Sequence, residues 1–173
     1  MTMICLVVMG VSGAGKTTIA ERLAERLGWP MGDADEHHSE SSIEKMEAGT
    51  PLTDEDRIPW LGEVRDWIDE QSAKRENTVM ACSALKRAYR DILREADAHV
   101  VFVRLSADHD VLASRIGSRK GHFMPSRLLE SQIGDLEPLE PDEAGIAVDV
   151  ADSPEQITET ILRELHFIGG RAA

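Results

Sequence analysis

Short apolar runs alternate along this chain with stretches whose apolar residues recur at helical spacing. Residues 3–9, rich in Val, Ile and Leu, predict a buried strand. Residues 17–27 place Ile19, Ala20, Leu23, Ala24 and Leu27 on one face of a helix, which Gly28 ends. A short second strand is expected at 29–31, running out at Gly32-Asp33-Ala34-Asp35, and a helix at 41–48, broken by Gly49-Thr50-Pro51. Thr53, with Asp56 close to a capping-box position, starts a helix that carries Trp60, Leu61, Val64, Trp67 and Ile68 on one face after an early Pro59. Strands at 78–82, 99–105 and 146–150 alternate with helices at 86–96, 108–116 and 127–133. A last helix starts at Ser153-Pro154 and ends at Gly169-Gly170, and the stretches 117–126 and 137–145 read as loops. No internal repeat, low-complexity segment or domain linker interrupts this order.

Strands alternating with helices predict an α/β fold of three layers, α/β/α, around a five-stranded parallel sheet. Right-handed crossovers bring the C-terminal ends of the strands to one edge, where open α/β sheets bind their ligands. The candidate polar groups all fall at or just beyond those strand ends. The 173 residues fit one domain, 1–173, with a core of useful size.

The connection between the first strand and the first helix is Gly10-Val11-Ser12-Gly13-Ala14-Gly15-Lys16-Thr17, followed by Thr18. Strand, glycine loop and helix in this order are the context of a Walker A phosphate loop, the mark of the P-loop NTPase fold. Glycines let successive backbone N–H groups turn toward phosphate oxygens, and the helix N-terminus adds a field that favours anions. Lys16 is expected to reach the β- and γ-phosphates and Thr17 to offer its hydroxyl to Mg²⁺. The bland alternative is a glycine-rich turn with no ligand.

Composition changes this picture little. Hydrophobic residues make up 42% and charged residues 29%, as in ordinary soluble proteins. The net charge of −13, from 19 basic and 32 acidic side chains, disfavours a nucleic-acid partner but not a small anion in a local basic pocket. Cys5 and Cys82 lie in apolar runs without metal-ligand spacing, so buried free thiols and a reducing cytoplasm are expected. The N-terminal apolar stretch lacks the basic start of a signal peptide, and no run approaches the length of a membrane span.

Asp33 and Asp35 follow the second strand. A carboxylate facing a γ-phosphate either holds Mg²⁺ or accepts the proton of an attacking hydroxyl. Asp33 is assigned to the metal and Asp35 to the acceptor; the alternative makes one a helix cap and the other a turn residue. Arg57 is placed to hold a carboxylate through two parallel hydrogen bonds, or to pair with its acidic neighbours. Lys86 and Arg90, one helical turn apart, are both candidates to face a ligand, whereas Arg87 reads as a solvated charge. Ser83 stands where a Walker B acid often does, which leaves Mg²⁺ to Thr17, Asp33 and water. Arg115, Arg119, Lys120 and His122 form a basic cluster in an acidic chain, suited to closing over a triphosphate and stabilising transition-state charge. Asn77, the sole asparagine, is followed by Thr78, so the Asn-Lys-x-Asp guanine motif is impossible and ATP is the expected donor.

Taken together, the phosphate loop and four further runs resemble the bacterial-type gluconate kinases, relatives of shikimate kinase and adenylate kinase. Those runs are Ile43-Glu44-Lys45-Met46, Pro51-Leu52-Thr53-Asp54-Glu55-Asp56-Arg57 with Pro59-Trp60-Leu61, Cys82-Ser83-Ala84-Leu85-Lys86 with Tyr89-Arg90-Asp91, and Arg119-Lys120-Gly121-His122-Phe123-Met124-Pro125. The resemblance implies a nucleoside-monophosphate-kinase-like fold with a short lid at about 117–126 and, usually, a homodimer. It implies transfer of phosphate from ATP, with Mg²⁺, to the 6-hydroxyl of D-gluconate. Within it Asp35 would face that hydroxyl, Arg57 the sugar-acid carboxylate, and His38, Lys86, Arg90 and His122 the acceptor. Arg115 would face the nucleotide and Arg119 the reacting phosphate, and the run Val150-Ala151-Asp152-Ser153-Pro154 would pass the adenine. The chain departs from the family pattern at Ser39 and Ser42, where Pro and Asn are usual.

Overall fold

The computed structural model describes residues 2–11, 14–106 and 126–168. Its sheet holds β1 (Ile4–Met9), β2 (Met31–Asp33), β3 (Thr78–Ala81), β4 (His99–Ser106) and β5 (Gly145–Asp149), all parallel, in the order β2-β3-β1-β4-β5. The α-helices among the described residues are α1 (Lys16–Leu27), α2 (Glu40–Glu47), α3 (Asp54–Ala73), α4 (Arg87–Arg94), α5 (Ser126–Asp135) and α6 (Pro154–Ile168). A 3-10 turn, Ala34–His37, follows β2. The helix expected at 108–116 and most of the loop at 117–126 lie outside the described residues, as do Ser12, Gly13 and Gly169-Gly170.

The pleat explains why the central strand β1 is apolar throughout. Leu6 and Val8 of β1 enter one core with Ile19 and Leu23 of α1 and Ile157 and Ile161 of α6. Cys5, Val7 and Met9 enter a second core with Trp60, Leu61, Val64 and Ile68 of α3 and Tyr89 and Leu93 of α4. Each β1 residue from Cys5 to Met9 therefore meets a helix on one side or the other, and neither face of this central strand is left for water. Both thiols are buried, and burial pushes Cys5 and Cys82 up to about 12, so neither is a thiolate near neutral pH. No helix among the described residues is long and apolar enough to cross a membrane.

β1 lies between β3 and β4, and the chain reverses its direction of winding there. This is the topological switch point, so the loop leaving β1 opens into the crevice where a ligand fits. Two helix boundaries aim the neighbouring segments at that crevice. The Gly28 N–H closes α1 on the Ala24 carbonyl at φ 71°, and the Trp29 N–H bonds the same carbonyl. This cap absorbs Trp29, so the second strand is Met31–Asp33 and not the expected 29–31. Asp33 thus belongs to the strand, opposite Ala81 of β3. At the start of α3 the Thr53 hydroxyl accepts the Asp56 N–H (3.2 Å) while Asp56 accepts the Thr53 N–H (2.9 Å), the capping box expected from the sequence. The Thr53 N–H and then Lys45 hold the Asp56 carboxyl down at about 2. That box fixes the first turn of α3, which carries Asp54 and Arg57.

Candidate active site

The phosphate-loop residues that are described have the conformation the sequence requires. Gly10 has φ 147°, and a Cβ on it would lie 2.9 Å from the Leu105 carbonyl oxygen of β4, so only glycine fits between the two strands. Its N–H donates to the Ser83 carbonyl (3.3 Å), tying the loop to the end of β3. Val11 and Ala14 are buried, and the Ala14 N–H closes a turn on Val11 (3.2 Å). Gly15 caps α1 in the left-handed region at φ 94°, with no side chain accepting from the first turn. Lys16 curls back so that Nζ donates to the Val11 carbonyl (3.1 Å), and Thr18 is exposed.

Asp33 takes the capping role that the sequence held open as the alternative, and it also meets Thr17. Its Oδ1 accepts the Asp35 N–H (3.0 Å), capping the 3-10 turn. Its Oδ2 accepts the Thr17 hydroxyl (3.0 Å). The hydroxyl and carboxylate expected to serve Mg²⁺ are therefore already side by side. Among the described residues no group of three or more His, Cys, Asp or Glu side chains is arranged to hold a metal. A hydroxyl and a carboxylate beside a phosphate loop suit a cation that keeps waters and takes phosphate oxygens as ligands, the preference of Mg²⁺.

The Asp35 side chain is 54% exposed at the same edge, and His38 Nε2 stands 3.7 Å from its Oδ1. The His38 ring stacks on Trp60 with centroids 4.1 Å apart. The Trp60 indole N–H in turn donates to the Ala34 carbonyl (2.6 Å), so α3 holds both the turn and the ring. Burial lowers the His38 pKa, and Asp35 only partly offsets it, so the imidazole is neutral at pH 7. His38 is thus placed against Asp35. A cavity of about 440 Å³ lies behind this stack, lined in part by Glu36, His37, Glu55, Asp56 and Glu63. Four carboxylates make it unfit for an anionic acceptor, and neither Asp35 nor Arg57 lines it.

Arg57 is buried, and its partners are not its acidic neighbours in the chain. Nη1 donates to the Tyr89 hydroxyl (2.8 Å) and to Asp135 Oδ2 at the end of α5 (3.2 Å). The Tyr89 hydroxyl donates to Asp54 (2.5 Å), and Lys86 Nζ lies 3.6 Å from the same Asp54 oxygen. Partial burial would lower the Lys86 pKa, but Tyr89, Asp135 and Asp54 together raise it, so its charge is secure. Tyr89 and Asp135 were missed as site residues. Tyr89 read only as an inward face of α4, and Asp135 is 78 residues away from Arg57.

Arg90 does not join Lys86, and the structure corrects that expectation. It is fully buried, and Nε and Nη2 hold Glu143 at 2.6 and 3.1 Å. The carbonyls of Ala84, Leu85, Glu137 and Pro138 accept the remaining donors at 3.1–3.2 Å. All five N–H groups are thereby used, and none is left for a substrate. Burial alone would raise the Glu143 carboxyl, but Arg90 and the Glu140 N–H more than offset this and hold it below its ordinary range. Arg87, read as solvated, instead pairs with Asp91, Glu140 and Asp142 at the surface. Asn77 is also structural, accepting the Ile4 N–H (2.9 Å) at the start of β1. Arg115, Arg119 and His122 lie outside the described residues.

Comparison with known proteins agrees with this geometry. The model of the shikimate kinase family matches residues 12–166. A gluconokinase of Gluconobacter oxydans (strain 621H) is 47% identical over 162 residues, 94% of this chain and 90% of that protein. The crystal structure of an unliganded sugar kinase from Janibacter sp. HTCC2649 is 47% identical with a TM-score of 0.92, covering 99% of this chain and 98% of that one. A gluconokinase structure from Sinorhizobium meliloti 1021 is 42% identical with a TM-score of 0.80, covering 96% and 94%.

Proposed function

Since this chain belongs to the gluconokinases, within the wider shikimate kinase family, we propose that it transfers the γ-phosphoryl group of ATP to the 6-hydroxyl of D-gluconate. The products are ADP and 6-phospho-D-gluconate. The observation that carries this reading is the gathering at one sheet edge of a phosphate loop, the exposed Asp35 and two cations, Arg57 and Lys86, around Tyr89. A sugar acid has one end to be phosphorylated and one carboxylate to be held, and this edge has a group for each.

The backbone of Gly10–Thr18 cradles the phosphates, and Lys16 moves from the Val11 carbonyl to the β- and γ-phosphates. Thr17 and Asp33 would hold Mg²⁺, which would neutralise charge on the transferred group. Asp35 accepts the proton of the attacking hydroxyl and aims it in line, with neutral His38 steadying the carboxylate. Arg57 and Lys86 hold the sugar-acid carboxylate. The family resemblance assigns Arg119 to the charge that develops on the phosphoryl group, Arg115 to the nucleotide and His122 to the acceptor. The reading includes a homodimer, as the family resemblance implies, and a reducing cytoplasmic setting that suits two buried free thiols.

A coupled assay of ADP release tests the acceptor. Gluconate at millimolar concentration supports turnover, and shikimate at the same concentration gives less than about one-hundredth of that rate, because a site built for one hydrogen-bonding pattern rejects another by large factors. Turnover with shikimate and none with gluconate would overturn the reading.

A further inference from the structure

Tyr89 is only 3% exposed, yet two cations converge on it. The Arg57 guanidinium carbon lies 5.3 Å from the ring centroid and the Lys86 ammonium 5.6 Å. Both distances fall within the reach of a cation–π contact. The hydroxyl works in both directions, accepting from Arg57 (2.8 Å) and donating to Asp54 (2.5 Å), and Asp54 faces Lys86 at 3.6 Å. Arg57, Tyr89, Asp54 and Lys86 thus close a ring of contacts around one phenol.

Among the described residues every hydrogen bond from the Arg57 guanidinium leaves from Nη1, to Tyr89 and Asp135. The fork is anchored at one corner, and Nε and Nη2 are left to make two parallel bonds to a carboxylate. Without the phenol hydroxyl, Arg57 keeps only its single bond to Asp135 and Lys86 its contact with Asp54, and each long side chain regains rotamer freedom.

We propose that Tyr89 is the positioning residue for recognition of the acceptor's carboxylate, holding Arg57 and Lys86 in one geometry through its hydroxyl and its ring. This deepens the acceptor reading above and rests on it. The hydroxyl matters more than the ring for direction, because it fixes which guanidinium nitrogen is engaged.

The experiment is a kinetic double-mutant cycle with Tyr89→Phe and Arg57→Ala in the full-length protein. Phenylalanine keeps the ring and the packing and removes only the hydroxyl. Tyr89→Phe is expected to raise the gluconate KM about tenfold, the scale of one hydrogen bond to a charged group, with kcat within about threefold and the ATP KM unchanged. In the Arg57→Ala background the same change raises the gluconate KM by less than about twofold, because the group it acts through is gone. Equal effects in both backgrounds, an unchanged gluconate KM, or a parallel rise in the ATP KM would each overturn the inference. Wild-type protein inactive with gluconate would instead overturn the acceptor reading, and this inference with it.

Discussion

Asp35→Asn lowers kcat by about 10²–10⁴-fold, the range expected for losing a positioned proton acceptor, and leaves ATP affinity within about twofold. The local geometry makes this a clean substitution. Asp35 joins the Asp33 cap through its backbone N–H, not its side chain, so the 3-10 turn persists. The carboxylate is half exposed and its neighbour His38, at 3.7 Å, is neutral, so the amide leaves no buried charge behind. Thr17 and Asp33, which bond each other, are untouched. Steady-state kinetics with gluconate and calorimetric titration of a non-hydrolysable ATP analogue separate the two effects. A kcat within threefold of wild type would remove Asp35 as the proton acceptor.

The second large effect is on stability and comes from a residue that does no chemistry. Arg90→Met takes from the buried Glu143 its bidentate partner, leaving only Arg87 Nη1 at 3.6 Å, and strips four backbone carbonyls of their donor. Breaking a buried pair from one side costs about 3–5 kcal/mol, a large share of the roughly 5–15 kcal/mol that stabilises a whole domain. For a chain of this size the melting temperature should fall by about 10 °C or more. Arg87→Met is the informative contrast. Arg87 has four carboxylate partners, but three of those pairs lie at the surface and are screened by water, so a much smaller loss is expected. Replacing Glu143 by Leu in the Arg90→Met protein recovers part of the loss and not all of it, because the carbonyls stay unpaired. Calorimetry reads all three, and an Arg90→Met loss no larger than that of Arg87→Met would contradict the account.

The contrast between these two arginines and Arg57 shows what a sequence reveals and what it hides. Periodicity exposed the parallel sheet, because strands buried on both faces must be apolar throughout. The Thr53–Asp56 box and the Gly28 stop were legible because capping is settled by residues three or four apart. Local signals also placed the phosphate loop and set Asp33 near it, although the cap that draws Trp29 back onto α1 moved the strand by two residues. The fates of Arg57, Arg87 and Arg90 were not legible. All three are arginines near helix starts with acidic neighbours. Their partners, Asp135, Glu140, Asp142 and Glu143, arrive from 50 or more residues away. Burial separates them, and burial belongs to the tertiary structure. Tyr89 was hidden for the opposite reason. An inward tyrosine looks like core until the hydroxyl's partners are seen.

The proposed reaction places phosphate on the terminal hydroxyl of gluconate. Proton-coupled ³¹P NMR of a reaction containing the wild-type protein, ATP, Mg²⁺ and gluconate tests it without any coupling enzyme. A phosphate ester on the primary carbon shows coupling to two methylene protons, and that pattern, growing as ATP disappears, is the predicted result. Coupling to a single proton would place the phosphate on a secondary hydroxyl. An uncoupled inorganic phosphate signal would mean that water is the acceptor, and either outcome would contradict the roles given to Asp35 and Arg57.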